Sequence, residues 1–364
     1  MSLPSAIVVS DDAIEVADCR SLPKRLQYLR FTSVNPLAQA LRDYLVYGPS
    51  LMPLAVAHAV ALEARQHSAS TSIAGFRYTL QESLYTLRAA RPQFRPLIFC
   101  VEQLSSVVRY LIENNFDVEQ SCRTLSRVAA FVERLLIEEE TAIAGIIKEM
   151  IPDNSRLMVL GACGRLTSAG VGTVTGAITA ARDEGKKVRV TIPQSYPLMS
   201  GSRVLSWELA QEKIDYELVI DELVPTLMLT EKFDGVLCPV NRLCRNGDIS
   251  TTSGATAVAF ACKAAGIPFY AVTLNLTADL SSGSLKDCPL EEFEHVQDST
   301  GCRMRAAINN VVPAELITGY ITRYGLFAPR VNGTAEQLVP ILAGRIEHPI
   351  QDYIHSSECL EEKM

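Results

Sequence analysis

The stretch from Arg156 to Ala181, RLMVLGACGRLTSAGVGTVTGAITAA, constrains this chain more than any other. A short apolar run, Leu157 to Leu160, reads as a buried strand. Gly161, Gly164, Gly170 and Gly172 follow and give a loop that turns tightly and lets a ligand approach its backbone. The small-residue segment from Val171 to Ala181 then reads as a helix packed closely on a neighbour. Strand, glycine loop and helix together point backbone N–H groups and a helix N-terminus at an anion such as a phosphate. The same arrangement also serves as a plain strand-to-helix turn of an α/β domain, and no complete phosphate-loop signature decides between the two. The loop also carries Cys163, Arg165, Thr167 and Ser168.

The rest of the composition bounds what such a loop can belong to. With 364 residues the chain has room for two domains with sizeable cores. At 48% hydrophobic and 21% charged it has the balance of an ordinary globular protein. A net charge of -7 argues against nucleic acid as a partner. No apolar run approaches the ~20 residues that span a bilayer, so no membrane partner is expected. The N-terminus MSLPSAIVVSDD has no basic segment ahead of an apolar one, and a cytoplasmic location is expected. None of the ten cysteines forms a C-x-x-C pair, and most sit in apolar segments, which suits reduced, buried thiols. The five histidines show no ligand spacing. Neither a metal nor another cofactor is expected.

Residues 6–18 read as two short strands around Ser10-Asp11-Asp12. Helical spacing begins at Asn35-Pro36, with Leu37, Leu41, Tyr44 and Leu45 on the apolar face and a stop at Gly48-Pro49. Further helices are predicted from Pro53 to about His67, over 72–89 and over 96–114. The clearest period starts at Asp117: Val118, Cys122, Leu125, Ala129, Val132, Leu136, Ile143, Ile147 and Met150 form one face of a long helix. Asp117 with Gln120 resembles a capping box. Pro152-Asp153-Asn154 ends it, giving an N-terminal helical domain with a small β-hairpin over 1–150 and a second domain over 151–364.

Beyond that boundary short apolar runs at 157–160, 188–192, 217–220, 235–240 and 268–274 alternate with helical segments at 171–184, 201–213, 223–231 and 254–265. The alternation predicts an α/β fold with a mostly parallel sheet covered on both faces. A helix is expected over 313–325, then a polar tail from about Arg330. In such a sheet ligands bind beyond the carboxyl ends of the strands, which selects the loops 161–170, 193–201, 221–223, 241–253 and 275–284. The stretch NRLCRNGDISTTSG, 241–254, is dense in hydrogen-bonding groups and reads as a pocket loop or a solvated turn. Asp221-Glu222 offers a general base or a helix cap. Arg91 offers an anion site or a surface ion pair.

Taken together, these loops resemble methylthioribose-1-phosphate isomerase. The resemblance rests on GACGRLTSAGVGT, PLMSGSRVLSWEL, the NGD turn, IPFYAV and VVPAELITGYIT, and VYGPSLMPLAVAHAVAL falls where the isomerases carry V-R-G-A-P. That family shares its fold with ribose-1,5-bisphosphate isomerase and the initiation factor 2B alpha, beta and delta regulatory subunits. The resemblance implies a helical N-terminal domain, a Rossmann-like C-terminal domain, a homodimer formed through the latter, and a phosphorylated sugar or nucleotide as ligand. It places Cys163 and Asn241 nearest the catalytic positions, and Gly48, Arg91, Arg165, Ser168, Asp248, Thr251 and Thr252 around the substrate.

The departures from that family are concentrated in the pocket. Gly161 stands where the isomerases have a catalytic cysteine in C-N-A-G, with Cys163 two residues later. Asn241 stands at the aspartate of G-A-D-R, Tyr47 at the arginine of V-R-G-A-P, Gln194-Ser195-Tyr196-Pro197 at E-T-R-P, and Thr251-Thr252 at an N-K pair. Asparagine keeps the shape of aspartate but cannot titrate, and losing an arginine and a lysine removes phosphate clamps. Cys163 is a substitute thiol only if the loop shifts and the helix N-terminus lowers its pKa; without a base beside it a cysteine is inert. The sequence therefore leaves three readings: an isomerase-family protein with lost or altered activity, a non-catalytic regulatory dimer that senses phosphosugars, and an isomerase of another phosphosugar.

Overall fold

The computed structural model describes residues 3–68, 72–279, 281–287, 290–293, 305–328, 353–354 and 356. Three antiparallel strands open the chain, β1 (Ile7–Val9), β2 (Ile14–Ala17) and β3 (Tyr28–Phe31). The first two make the expected hairpin, closed by Ser10 bonding to Asp12 and to the Ala13 carbonyl. Five helices follow: α1 (Val34–Arg42), α2 (Leu51–Gln66), α3 (Ile73–Ala90), α4 (Arg95–Glu113) and α5 (Val118–Met150). α1 departs from its expected start at Asn35-Pro36. Its N-cap is Ser33, which makes no side-chain cap bond, and the Val34 N–H donates instead to the buried Glu63 on α2 at 2.9 Å. It also ends at Arg42, ahead of Gly48-Pro49.

α5 follows its period. Asp117 and Gln120 form a complete capping box, and Leu125, Ala129, Val132, Leu136, Ile143 and Ile147 are buried along a helix about 50 Å long. Two glutamates, Glu139 and Glu140, are buried on it as well.

Past Pro152 strands alternate with helices: β4 (Ser155–Val159), α6 (Val174–Asp183), β5 (Val188–Pro193), α7 (Ser206–Gln211), β6 (Asp215–Val219), α8 (Val224–Thr230), β7 (Gly235–Cys244), β8 (Ile249–Thr252), α9 (Ala255–Ala265) and β9 (Phe269–Val272). The short β10 (Ala278–Asp279), β11 (Asn309–Val312), β12 (Gly319–Thr322) and β13 (Gly325–Phe327) complete the described strands. The main path of the ten-stranded sheet is β13-β12-β9-β7-β4-β5-β6, parallel from β12 to β6. From β4 the chain moves out to β5 and β6, then returns to the other side of β4 at β7. That reversal leaves a crevice beyond the carboxyl ends of β4 and β7.

The period-two alternation of a strand explains how both faces are filled. Leu157 and Val159 join an apolar cluster continuous with α1 to α5, while Met158 and Leu160 join one built with α8 and α9. Among the described residues no helix is long and apolar enough to cross a membrane.

Two expectations need correction. Residues 241–254 are not a free loop: β7 runs on to Cys244 and β8 pairs back antiparallel, with an irregularity between Val240 and Arg242. The helix expected over 313–325 is a single turn, Ala314–Leu316, followed by β12 and β13. Tyr320 and the β-branched Ile321 and Thr322 suit a strand, and parallel pairing with β9 outweighs the helical spacing. The tail expected from Arg330 lies outside the described residues, apart from Tyr353, Ile354 and Ser356. Tyr353 stacks on Phe131 of α5 with centroids 4.1 Å apart, and Ile354 is buried.

Candidate functional site

The glycine loop after β4 holds an anion, but the anion belongs to the chain itself. The N–H groups of Arg165 and Leu166 donate to the two oxygens of Glu208, on α7, at 2.9 and 2.8 Å. Those of Ala169 and Gly170 donate to Glu140, on α5, at 2.9 and 3.0 Å. Both glutamates are 0% exposed. Burial pushes Glu208 up to about 7 and raises Glu140 as well. Gly164 leaves room for the Glu208 carboxylate, since a Cβ there would stand 1.6 Å from one of its oxygens. The expectation that these amides face a phosphate is therefore corrected: four of them are engaged by carboxylates within the core.

The side chains of that loop are turned inward too. Cys163 is buried against the Leu160 carbonyl at 3.9 Å, and burial pushes its thiol well above the ordinary value. The lowered pKa considered for it from its place beside a helix is thus reversed by the absence of solvent. Arg165 donates to the carbonyls of Gly170 and Leu3 at 3.0 and 2.8 Å. Ser168 is buried.

A cleft does lie at the reversal between β4 and β7. Its walls are Tyr47, Gly48, Pro49, Arg91 and Phe94 from the helical part, and Ala162, Leu198, Ser200, Pro239, Asn241, Thr252 and Ile308 from the sheet part. Of the expected site residues, Gly48, Arg91, Asn241 and Thr252 line it. Cys163, Arg165, Ser168, Asp248 and Thr251 do not. Thr251 is buried, bonded to Cys238 at 3.1 Å and to the Pro239 carbonyl. Asp248 braces its own turn and accepts from the Ala314 N–H at 2.9 Å. Asp221 is neither base nor free cap, since its carboxylate holds the N–H groups of Ser195 and Tyr196, both at 2.8 Å.

The cleft measures about 70 Å³, room for roughly five waters at ~10–15 Å³ each. Gly48 joins it to the glycine loop. Its φ of +134° is open to glycine, and a Cβ there would meet the Thr167 carbonyl oxygen at 2.1 Å. Tyr47 packs against Cys19, Leu166 and Val204, and burial pushes its phenol well above its ordinary value.

Among the described residues that line the cleft Arg91 is the one charged side chain, and it is 5% exposed. Its guanidinium forks onto both carboxylate oxygens of Glu291, the Nη2–Oε2 contact being 2.9 Å. The same guanidinium lies 4.3 Å over the Tyr44 ring and 5.3 Å from the Phe94 ring. Sequence reasoning missed Glu291, Ser200 and Tyr44. Ser200 lies inside a loop that the strand order does select, whereas nothing in the linear order couples Glu291 to Arg91.

With this geometry in hand, comparison with known proteins places the chain in context. Residues 46–329 match the model of the initiation factor 2 subunit family. A methylthioribose-1-phosphate isomerase of Heliobacterium modesticaldum is 30% identical over 328 residues, 88% of this chain and 94% of that protein. One from Trichlorobacter lovleyi is 29% identical over 335 residues, 90% and 95% of the two chains. Among solved structures, 5-methylthioribose 1-phosphate isomerase from Pyrococcus horikoshii superposes with a TM-score of 0.82 at 20% identity, covering 95% of this chain and 97% of its own. The delta subunit of translation initiation factor eIF-2B from A. fulgidus gives 0.77 at 24% identity, over 94% and 100%. These two likenesses confirm the fold.

Proposed function

The chain belongs to the initiation factor 2 subunit family, and from that premise we propose that it binds a phosphorylated sugar or nucleotide in the cleft between β4 and β7 without isomerising it. One observation carries the reading: among the described lining residues, only Arg91 and Tyr47 carry an ionisable side chain, and the phenol of Tyr47 is raised. Aldose–ketose isomerisation needs a group within about 2.6–3.2 Å of the substrate that gives and takes protons near neutral pH. Asn241, Ser200 and Thr252 can hold hydroxyls and a phosphate, but none of them is such a group. Of the nearby ionisable groups, the Cys163 thiol is buried and raised, Glu208 and Glu140 are bonded to backbone amides, and Glu291 is bonded to Arg91 and Tyr44.

Assembly as a homodimer through the sheet part belongs to the same reading. The edge strand β6 and the turn after it leave Leu218, Ile220 and Leu223 exposed by 46%, 56% and 41%, a patch that suits a second copy. The decisive experiment is to incubate the protein with methylthioribose 1-phosphate and follow the ketose by proton NMR, with the Heliobacterium modesticaldum relative as control. Binding without product is expected. Turnover on the order of 1–10³ per second, an ordinary enzyme rate, overturns the reading.

A further inference from the structure

We propose that Glu291 is the residue that sets which ligands the cleft admits: it is an internal anion on Arg91 that only a phosphate-bearing ligand displaces. The proposal rests on the reading that the cleft binds a phosphorylated ligand. Arg91 presents the planar fork that recognises carboxylate or phosphate through two parallel bonds, and Glu291 fills both prongs. Tyr44 completes the arrangement. Its hydroxyl donates to Glu291 at 3.1 Å while its ring lies under the guanidinium. Tyr44 holds a left-handed φ of 56°, strained for a bulky residue and of the kind that gathers at ligand clamps.

Glu291 comes to Arg91 from a different element than the cleft walls, with its N–H donating to Asn309 of β11 at 2.7 Å. It rides on a short ribbon in which the Phe293 N–H donates to the Ala306 carbonyl at 2.8 Å and the Ile308 N–H to the Glu291 carbonyl at 3.0 Å. Ile308, on the opposite strand of that ribbon, lines the cleft. One element therefore both neutralises the lining cation and narrows the space beside it. A phosphate dianion offers Arg91 the same two-oxygen geometry with more charge, so it replaces the carboxylate and releases the ribbon. A neutral sugar offers nothing in exchange and is refused.

The test compares inorganic phosphate, ribose 5-phosphate and ribose by calorimetric titration on the wild-type chain and on Glu291→Gln. The amide keeps the size of the side chain and removes its charge. Phosphate and ribose 5-phosphate are expected to bind at least about tenfold tighter to the variant, with ribose unchanged. Equal or weaker phosphate binding by a variant that folds like the wild type overturns the role of Glu291. Should that variant not fold, hydrogen exchange on the wild-type chain decides: saturating ribose 5-phosphate is to speed exchange at the Glu291 and Ile308 amides, and unchanged or slower exchange overturns the proposal. Ribose 5-phosphate binding to neither protein removes the reading of the cleft itself, whereas equal binding to both removes only the part assigned to Glu291.

Discussion

Two regions flank the same crevice, and in each a glutamate carboxylate accepts from N–H donors. In the glycine loop Glu208 and Glu140 are held by backbone N–H groups on elements that are themselves buried in the core. At the cleft the Glu291 carboxylate is held by side chains, the Arg91 guanidinium and the Tyr44 hydroxyl. A carboxylate bonded to loop amides cannot leave without dissolving the loop. One bonded to a guanidinium leaves as soon as a better anion arrives. The glycine-rich stretch that looks most like a phosphate site is therefore scaffold, and the less conspicuous Arg91 is where an external anion can enter.

The largest effect should come from attacking the scaffold side. Glu208→Ala leaves the Arg165 and Leu166 N–H groups without partners at about 1–3 kcal/mol each and opens a void where the carboxylate stood. A loss of about 5 kcal/mol, enough to unfold a marginal chain, is expected in urea denaturation. A loss under about 1 kcal/mol would mean that the loop rearranges freely, and the contrast between the two regions would collapse.

The next effect reads the buried carboxylates by pH. Glu208 and Glu139 ordinarily titrate near 4.5 and stand at about 7 in the fold because they are buried. Between those values the folded chain keeps protons that the unfolded chain has released. Each group therefore favours folding at the acid end of the window, and stability falls as pH rises from 4.5 to 7, by on the order of 3 kcal/mol per group. Asp279 acts in the other direction. Its burial is outweighed by hydrogen bonds from Ser281 and Ser282, its pKa is lowered, and its contribution is lost as pH falls below about 4. Melting temperature should peak near pH 5, and Glu208→Gln should flatten the decline above it. A melting curve that climbs steadily from pH 5 to 8 would contradict the burial assigned to these carboxylates.

How much of this could be read from the linear sequence depends on how far each partner lies along the chain. The period of α5, its capping box and the alternation after Pro152 follow from spacing within or between neighbouring elements, whereas the strand order that opens the crevice between β4 and β7 does not. PAELITGYITRYG misleads because Leu316, Ile317, Tyr320 and Ile321 satisfy helical spacing equally well, and only β9 beside them selects a strand. The site residues fail for a related reason. Glu140 and Glu208 reach the glycine loop across 29 and 43 residues, and Glu291 reaches Arg91 across 200. A polar loop scored by composition alone cannot reveal that its amides are already engaged.

A smaller effect tests the seam between the two regions. Gly161 has a φ of +64°, and a Cβ there would come within 3.3 Å of Thr252. Gly161→Cys therefore costs left-handed strain plus mild crowding, together about 1–2 kcal/mol. Pairing it with Thr252→Ser, which removes the crowding methyl, should recover part of that loss in thermal melts. If Gly161→Cys is neutral, the loop start is looser than its contacts imply, and a thiol at that position becomes easy to restore.

The smallest effect should come from Asn241→Asp. The new carboxylate lines the same cleft as Arg91, and it adds a second internal anion to a site where Glu291 already occupies that cation. It restores the shape and charge of an acid–base group, but neither a thiol at Gly161 nor a cation at Tyr47 accompanies it. Groups that act as a unit in catalysis are strongly non-additive, so the single change should give no detectable isomerisation of methylthioribose 1-phosphate. Its measurable consequence should be electrostatic. Phosphate binding should weaken a few-fold at low salt, and the loss should shrink as ionic strength rises. Combining it with Glu291→Gln should cancel most of that loss, because the number of internal anions returns to one. Stronger phosphate binding by Asn241→Asp would show that charge at the cleft is set elsewhere. The contrast between an exchangeable rim and a locked loop would then lose its electrostatic basis.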